Sequence, residues 1–478
     1  MLEGVMLAIV AHCLAGGQDS RVSFSSRSTS NETLQEHAAR MHEALSFAHR
    51  RAAFFDAMAA ASPSAVAVIP AAPVFVRNND VEHEYRQDSD FFYLTGLDEP
   101  ESVAVFDARA RTMTLFVRPR DPDREIWDGP RTGIEGAKSV YGASEAFVVS
   151  ELDDKLSAAV QNHRRLYYRL GKNRPFDDRV LAVIDRLRTR QRSGAAAPSE
   201  IVDTGDILHE MRLRKSPGEV DTMRAAAAIT REAHEIAMAK ARPGMFEYEV
   251  EALLLDTFRR HGSERAAYGS IVGSGPNACV LHYRKNDRRI DEGDLLLIDA
   301  GCEYGYYASD VTRTFPVGRD FSRAQQAIYE LVLEAQLEGI AATRVGVTLD
   351  DVHKLTVDVV TRGLVRLGLL SGEPEKLVES GAYKRFFMHR TSHWLGMDVH
   401  DVGAYFADGS PRALDPGMVL TIEPGIYISP ADDHVAPEWR GIGVRIEDDV
   451  LVGDDGAVVL TAGIPKTVEE LRATRVGS

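Results

Sequence analysis

One short phrase occurs twice in the chain, and each copy carries an acidic residue near its end. Residues 291–301 read DEGDLLLIDAG and residues 415–425 read DPGMVLTIEPG, so Asp299 and Glu423 hold equivalent places. In each copy an Asp-x-Gly turn signal precedes a short apolar run, which predicts a buried strand that ends close to the acid. Burying a carboxylate there is costly unless it is paired. The repeat therefore indicates a charged site.

A second acid follows each copy on another strand-like run. Asp310 lies in SDVTRTF, and Glu447 lies in VRIEDDVLV. Two halves that each supply a pair of carboxylates predict one shared site at a pseudo-two-fold axis. Asp448 and Asp449, beside Glu447, illustrate that acids are common without a function, and we expect no role for them.

Convergence of the four acids would concentrate negative charge. At about 4 Å and an effective dielectric of about 20, each like-charge pair costs about 4 kcal/mol. Protons would relieve this repulsion, whereas two divalent cations would cancel the four charges. Histidines at 282, 389, 393 and 400 add imidazole nitrogens, and carboxylates with one imidazole suit Mn²⁺, Co²⁺ or Zn²⁺. Two such ions about 3.5–4 Å apart can activate a water against a carbonyl.

Length, charge and cysteine content limit the number of domains, the kinds of partner and the cellular setting that the chain can have. A chain of 478 residues is long enough for two domains with their own cores. A formal net charge of −16 argues against a nucleic-acid partner. The three cysteines, Cys13, Cys279 and Cys302, have no metal-ligand spacing and favour a reducing, cytoplasmic setting. No apolar stretch approaches the roughly 18–20 residues that span a bilayer, so we expect no membrane association.

Periodicity predicts two parts of different construction. Residues 45–190 alternate strand-like and helical runs, an α/β pattern, and RSGAAAPSE at 192–200 is typical of a linker. Beyond it, a helix–helix–strand–strand order occurs twice, which predicts a curved sheet covered by helices. The predicted helices span about 217–240, 247–262, 323–341 and 349–369, and the predicted strands span about 268–274, 294–299, 306–315, 397–403, 418–423 and 443–452.

Longer motifs resemble a known family. IDAGCEY, SDVTRTFPV, MHRTSHWLGMDVHDVG, LTIEPGIYI and GIGVRIEDD are similar to the pita-bread metallopeptidases of family M24, and within them to the aminopeptidase P group. YRQDSDFFYLTGLDEPES and EIWDGPRTG extend the similarity over about residues 45–470. The resemblance implies an α/β (α+β) fold with a creatinase-like α/β domain at 45–205 and a catalytic pita-bread domain of two duplicated halves at 206–478. The Ser-, Thr-, Gln- and Asn-rich stretch at 17–35 predicts that the extension at 1–44 is disordered.

The same resemblance implies a binuclear metal centre. Its five ligands would be Asp299, Asp310, His393, Glu423 and Glu447, and its ions are usually Mn²⁺ in this family. Asp299 would hold one ion, Asp310 and Glu447 would bridge both, and His393 with Glu423 would complete the second. A hydroxide bridging the ions would attack the carbonyl of an Xaa-Pro bond, with Glu423 as proton shuttle to the proline nitrogen.

Other matched positions imply contacts with the substrate. His282 and His400 would bind substrate or stabilise the developing oxyanion, His389 would line the proline pocket, and Arg445 would flank it. The loop after His400 departs from the arginine spacing usual in the family.

Three aromatic residues complete the implied site. Tyr268 and Tyr427 match residues near the ions, and Trp127 matches an aromatic that neighbouring subunits place at the active-site mouth. The last match implies a homotetramer or a homodimer.

The function implied is hydrolysis of the first residue from peptides with proline in second position. Such a bond has no N–H, and the proline ring fixes φ near −65°, so a peptidase that grips the amide as a strand handles it poorly. Three alternatives stay open: a prolidase, which cleaves only dipeptides and needs a basic clamp for their carboxylate; a metal-free creatinase-like enzyme; and a non-catalytic pita-bread module that binds peptides. The last two are disfavoured because all five ligand types are present.

Overall fold

The structure, a computed structural model, describes residues 46–476, so the predicted disordered extension lies outside the described residues. The amino-terminal part is an α/β unit. Its elements are α1 (Phe47–Ala61), β1 (Ala65–Pro70), β2 (Val76–Asn78), β3 (Val81–Glu82), α2 (Ser89–Thr95), β4 (Val103–Asp107), β5 (Thr112–Val117), α3 (Pro122–Asp128), α4 (Gly133–Ser139), β6 (Glu145–Val148), α5 (Leu152–Val160), β7 (Arg165–Tyr167), α6 (Arg174–Thr189), β8 (Glu200–Val202) and α7 (Gly205–Leu213).

Six strands of this part form one mixed sheet in the order β6-β5-β4-β1-β7-β8, and β2 pairs separately with β3. The segment 192–200 leads from α6 to β8, which pairs in parallel with β7. The predicted linker is therefore a loop within this sheet, because small and turn-forming residues mark any loop and do not distinguish a domain boundary. The division into residues 45–205 and 206–478 stays a prediction.

The carboxyl-terminal part repeats its plan. Its elements are α8 (Pro217–Lys240), α9 (Glu247–Arg260), β9 (Arg265–Ala266), β10 (Ile271–Ser274), β11 (Leu295–Asp299), β12 (Cys302–Tyr304), β13 (Tyr307–Ala308), β14 (Thr312–Pro316), α10 (Arg323–Ala342), α11 (Leu349–Arg366), α12 (Pro374–Ser380), β15 (Phe406–Ala407), β16 (Ser410–Pro411), β17 (Val419–Ile422), β18 (Gly425–Tyr427), β19 (Gly443–Arg445), β20 (Asp448–Gly453), β21 (Gly456–Val459) and α13 (Val468–Val476).

The helix pairs α8–α9 and α10–α11 precede the sheets β10-β11-β14 and β17-β20-β21, respectively. Strand β11 is antiparallel to both neighbours, and β17 is antiparallel to β20. The duplicated helix–helix–strand–strand order predicted from the sequence is confirmed. Helix α8 also begins as predicted: the Ser216 side chain accepts from the Glu219 N–H, and the Glu219 carboxylate accepts from the Ser216 N–H, which is a capping box.

One predicted strand is absent. Residues 397–403 are irregular, and the chain pairs with β17 slightly earlier. The N–H of Thr421 donates to the His393 carbonyl, and the N–H of Glu423 donates to the Thr391 carbonyl. Residues 397–403 mix apolar and polar side chains as a strand does. However, Asp398 and Asp401 both form ion pairs with Arg212 of α7, and this segment does not pair as a strand.

The two parts share an apolar core. Phe92 of α2 stacks on Tyr306 with ring centroids 3.7 Å apart, and Leu208 of α7 belongs to the same buried cluster as Leu395 and Val419. The site-bearing strands are therefore supported from the amino-terminal side. Within residues 46–476, no helix has both the length and the apolar character needed to cross a bilayer.

We predict that Gly301→Ala destabilises the protein by at least about 2 kcal/mol, since overpacking costs that much. Gly301 follows the strand that ends at Asp299, and an added Cβ would lie 1.7 Å from the Ser309 carbonyl oxygen. The control is Gly269→Ala, whose added methyl group meets the Arg284 side chain at an ordinary 3.5 Å. Urea unfolding measures both variants, and equal stability would contradict this prediction.

Candidate metal centre

The predicted ligands converge at the ends of the duplicated strands. Asp310, His393 and Glu447 each place one ligand atom within 4.8 Å of the others. His393 Nε2 lies 3.3 Å from Asp310 Oδ2 and 3.5 Å from Glu423 Oε1. Asp299 joins the group through Tyr268, whose hydroxyl contacts both Asp299 and Asp310. All five residues predicted as ligands thus belong to one cluster.

Strand register explains this convergence. Asp299 ends β11 opposite Thr312 of β14, so Asp310 lies just before the neighbouring strand. Glu447 joins β19 to β20, and its N–H donates to the Thr312 carbonyl over 3.1 Å. Glu423 follows directly on β17. Because two antiparallel pairs present their ends to the same space, residues distant in sequence meet there.

The imidazole of His393 is oriented by the backbone. Its Nδ1 lies 3.0 Å from the Trp394 carbonyl oxygen. A carbonyl can only accept, so Nδ1 carries a proton and Nε2 faces Asp310 and Glu423. Fixing the outer nitrogen in this way is how proteins orient a metal-binding histidine. Burial opposes a charge on this ring, but Asp310 and Glu423 raise the pKa of His393 to about 9.

The contacts of the Tyr268 hydroxyl indicate that Asp299 and Asp310 need a nearby positive charge. Its Oη lies 2.7 Å from Asp299 Oδ1 and 2.6 Å from Asp310 Oδ1. Burial, together with these carboxylates, raises the pKa of Tyr268 well above its ordinary value, so the phenol keeps its single proton. One proton serves one hydrogen bond, so the other acid must be protonated or must face a cation.

The carboxyl groups themselves resist ionisation together. Burial, reinforced by the charges of Asp310 and Asp299, raises the pKa of Glu423 to about 7. Burial and neighbouring acids also raise the pKa of Glu447 well above the ordinary range. The residues present fit two divalent ions, because carboxylate oxygens and one imidazole nitrogen converge there with an unmet demand for positive charge.

Arg445 supplies part of that charge. Its buried guanidinium donates from Nη2 to Asp299 Oδ2 over 2.6 Å and from Nε to Thr312 Oγ1 over 3.0 Å. From Nη1 it donates to the Tyr427 hydroxyl, which also lies 2.9 Å from His389 Nε2. Arg445, Tyr427 and His389 thus form a chain of contacts that leads away from Asp299. Burial lowers the pKa of His389 to about 4, which leaves this ring neutral.

A cavity of about 910 Å³ opens over the cluster. His282 and His400 lie on its wall, and the His400 ring packs against the His393 ring with centroids 4.4 Å apart. Tyr405 and Phe406, from the loop that departs from the family pattern, also line it. The volume lies at the upper end of the roughly 300–1,000 Å³ usual for ligand pockets.

Trp127 lies away from the cavity and from the other predicted site residues. It is on α3, a helix without buried side chains, and its own side chain is 84% exposed. It does not line the cavity of its own chain. The fold therefore brings together every predicted site residue except Trp127, whose predicted role involves a neighbouring subunit.

The expectation that Asp448 and Asp449 have no role is wrong. Asp449 is buried and accepts hydrogen bonds from the Ser309 hydroxyl, at 3.0 Å, and from the Asp310 N–H, at 3.2 Å, and so it fixes Asp310. Burial alone would raise the pKa of Asp448, but Arg313 and Lys466 hold that pKa below its usual range.

Thr312 is a further residue that the sequence reading did not identify. Its hydroxyl donates to Glu447 Oε2 over 2.5 Å and accepts from Arg445. The available signal was its spacing: Thr312 lies two residues after Asp310, and residues two apart on a strand share a face.

Comparison with known proteins assigns both parts of the chain. Residues 221–454 match Metallopeptidase family M24, and residues 47–167 match Aminopeptidase P, N-terminal domain. Xaa-Pro aminopeptidase of Escherichia coli is 44% identical over 435 residues, which cover 90% of this chain and 98% of the relative. Human Xaa-Pro aminopeptidase 3 is 33% identical, with 91% of this chain and 85% of the relative covered.

Solved structures of similar proteins support the same family assignment. Aminopeptidase PepP of Pseudomonas aeruginosa superposes with a TM-score of 0.88 at 52% identity, covering 91% of this chain and 98% of that chain. The chain belongs to metallopeptidase family M24. Its amino-terminal match, its relatives and its structural neighbours associate it with the aminopeptidase P members of that family. The predicted family and fold class are confirmed.

We predict that divalent ions stabilise the protein more at about pH 8 than at about pH 5. The folded-state pKa of Glu423, about 7, lies above its ordinary 4.5, so in this window the folded protein holds more protons than the unfolded chain. Stability without ions therefore falls as the pH rises through the window. Ions must displace the Glu423 proton at about pH 5 but not at about pH 8, whereas the His393 proton, with a pKa of about 9, is displaced at both pH values.

The measurement is thermal unfolding of metal-stripped protein with and without Mn²⁺ at both pH values. Asp310→Ala should lose most of the shift at about pH 8, because it removes a carboxylate from the centre of the cluster. An undiminished shift in that variant would place the ion elsewhere.

Proposed function

We infer that the chain is a metal-dependent Xaa-Pro aminopeptidase, which removes the first residue from peptides with proline in second position. One observation carries this inference: four carboxylates and His393 converge in a single cavity of a chain whose relatives at up to 44% identity bear that name. The prolidase alternative is not favoured, and the cavity of about 910 Å³ has room beyond a dipeptide.

We propose that Asp299, Asp310, His393, Glu423 and Glu447 hold two divalent ions, and that the physiological ion is Mn²⁺. Bound there, the ions would polarise the scissile carbonyl and lower the pKa of the attacking water. Support comes from the oxygen-rich donor set and the clustered acids. A zinc-substituted form of the Escherichia coli relative has been solved in complex with product.

Glu423 is the group suited to move a proton. Its carboxyl lies 3.5 Å from His393 Nε2 within the cluster, and a carboxylate beside the attacking water can accept a proton and return it. In the proposed reaction it takes a proton from the attacking water. It then returns that proton to the proline nitrogen as the peptide bond breaks.

The imidazoles on the cavity wall bind and orient the substrate. His282 and His400 would hydrogen-bond the substrate carbonyl as negative charge develops on its oxygen. His389, held by Tyr427 and neutral because of burial, would line the pocket for the proline ring. Arg445 would hold Asp299 and Tyr427 in place while flanking that pocket. A ring-shaped pocket replaces the strand-like grip that an Xaa-Pro bond cannot provide.

The proposal also includes the oligomeric state and the cellular compartment of the protein. Trp127 is a large apolar side chain, 84% exposed, on a helix without buried residues, which suits a contact with the active-site mouth of a neighbouring copy. We therefore propose a homotetramer or a homodimer. A cytoplasmic location follows from the cysteine content of the sequence.

The function is tested with Glu423→Gln and peptide substrates. The wild-type protein, stripped and resupplied with Mn²⁺, Co²⁺ or Zn²⁺, should release the first residue from Xaa-Pro-Xaa tripeptides. Glu423→Gln should lower kcat by a factor of about 10² or more with the fold intact, since it removes the proton carrier. Glu438→Gln, an exposed acid in the same part, is the matched control. Cleavage restricted to Xaa-Pro dipeptides would favour a prolidase, and near-normal turnover by Glu423→Gln would contradict its role.

Trp127→Ala tests the subunit contact. It should lower kcat/KM about tenfold, the effect expected of a buried aromatic anchor, without changing the metal content. Ile126→Ala, which removes a neighbouring side chain that is 79% exposed, is the control. Kinetics and sedimentation are measured on both variants. If Trp127→Ala matches Ile126→Ala in both measurements, the side chain does not reach a neighbouring site.

A further inference from the structure

His400 lacks a hydrogen bond of its own. Among residues 46–476 its imidazole contacts the His393 ring, with centroids 4.4 Å apart, but neither ring nitrogen has a hydrogen-bond partner. The segment that carries it is irregular. The position of this ring therefore depends on what holds the backbone on either side of it.

Two acids next to His400 hold that backbone. Asp398 and Asp401 both accept from a single guanidinium, that of Arg212 in the last turn of α7. Nη2 of Arg212 lies 2.7 Å from Asp398 Oδ2 and 2.6 Å from Asp401 Oδ1. Because one planar group binds carboxylates on both sides of His400, it restrains the loop at two points.

The third partner of Arg212 lies in the amino-terminal part. Nη1 donates to Asp90 Oδ1 of α2 over 2.7 Å, and the Arg212 side chain is only 2% exposed. Ser89, the preceding residue, donates from its hydroxyl to Asp398 Oδ1 over 2.6 Å. Arg86, which precedes α2, donates to the Met397 carbonyl over 2.7 Å and lies 3.5 Å from Asp398 Oδ1. The amino-terminal part therefore reaches the His400 loop through Arg212, Ser89 and Arg86.

Buried ion pairs often serve architecture alone, and such a pair need not add stability. Two observations separate this cluster from that case. Its carboxylates flank a candidate catalytic ring by one and two residues, and that ring lacks any other polar anchor. Lys215 also binds Asp401, over 3.0 Å, so the carboxyl-terminal side of the loop stays anchored even when Asp398 is altered.

We propose that Arg212, held by Asp90, is a positioning residue for His400. The amino-terminal part would thereby set the orientation of an imidazole that contacts the substrate. This inference rests on the proposed function, in which His400 stabilises the developing charge on the substrate oxygen. A small displacement of such a donor is costly, because its catalytic contribution depends on its distance from that oxygen.

The test is a double-mutant cycle between Asp398→Asn and His400→Ala, measured as kcat/KM on an Xaa-Pro-Xaa tripeptide. The Asp398 side chain is 36% exposed, so its amide should leave the fold intact. Asp398→Asn should lower kcat/KM about tenfold in the wild-type background and by less than twofold in the His400→Ala background. Metal content should be the same in all four proteins.

Asp415→Asn is the matched control. Asp415 is a half-exposed acid that accepts from Arg214, two residues after Arg212, over 2.6 Å. It also joins this region to the carboxyl-terminal part, but it does not flank His400. It should change kcat/KM by less than twofold in both backgrounds. Ser89→Ala, which removes the hydroxyl contact to Asp398, replaces Asp398→Asn in the cycle if the amide variant misfolds.

The outcomes are distinct. Equal losses in both backgrounds would show a structural role only and would overturn the proposal, as would the absence of any loss in Asp398→Asn. A crystal structure of Asp398→Asn gives a second readout, in which the His400 ring should move while His393 stays. An unmoved ring would also overturn it. Failure of the wild-type protein itself to cleave Xaa-Pro tripeptides would overturn the proposed function and this role with it.

Discussion

Repulsion among four clustered carboxylates, three of them buried, is the constraint on which the rest of this structure depends. Asp299, Asp310, Glu423 and Glu447 lie in one cluster, where burial and neighbouring acids raise the pKa values of Asp299, Glu423 and Glu447, and a like-charge pair at about 4 Å costs about 4 kcal/mol at an effective dielectric of about 20. Arg445 and the Tyr268 proton compensate only part of this charge. The remaining demand for positive charge is what makes the cluster a candidate metal centre and distinguishes it from a structural ion-pair network.

Holding such a cluster requires rigid support, and the duplicated architecture provides it. Each half delivers its acids from paired antiparallel strands covered by a helix hairpin, so the carboxylates cannot separate without breaking sheet hydrogen bonds. A second layer of polar groups fixes the first. Asp449 binds the Asp310 backbone, and Thr312 binds Glu447. Outer contacts of this kind set the orientation of ligand groups in metal sites generally.

The amino-terminal part extends this support to the substrate side of the cavity. It shares an apolar core with the carboxyl-terminal part, and within that contact the buried Arg212 binds acids from both. The catalytic fold and the preceding α/β unit therefore act as one scaffold. The loop around His400 is irregular because its side chains serve this contact and not a strand.

The sequence by itself determined the duplicated plan, the five candidate ligands and the family, since repeated turn–strand–acid phrases and long motifs are local patterns that survive without coordinates. It also predicted the first residue of helix α8, because helix capping is a local interaction. Only the tertiary structure decided that Asp449 and Thr312 support the site, that residues 192–200 lie within the first sheet, and that residues 397–403 are not a strand. The support from Asp449 and the irregular loop depend on contacts between residues more than a hundred positions apart, such as Asp310 with Asp449 or Arg212 with Asp401. The place of residues 192–200 depends on the pairing of Glu200 with Arg165, and no local pattern encodes any of these contacts.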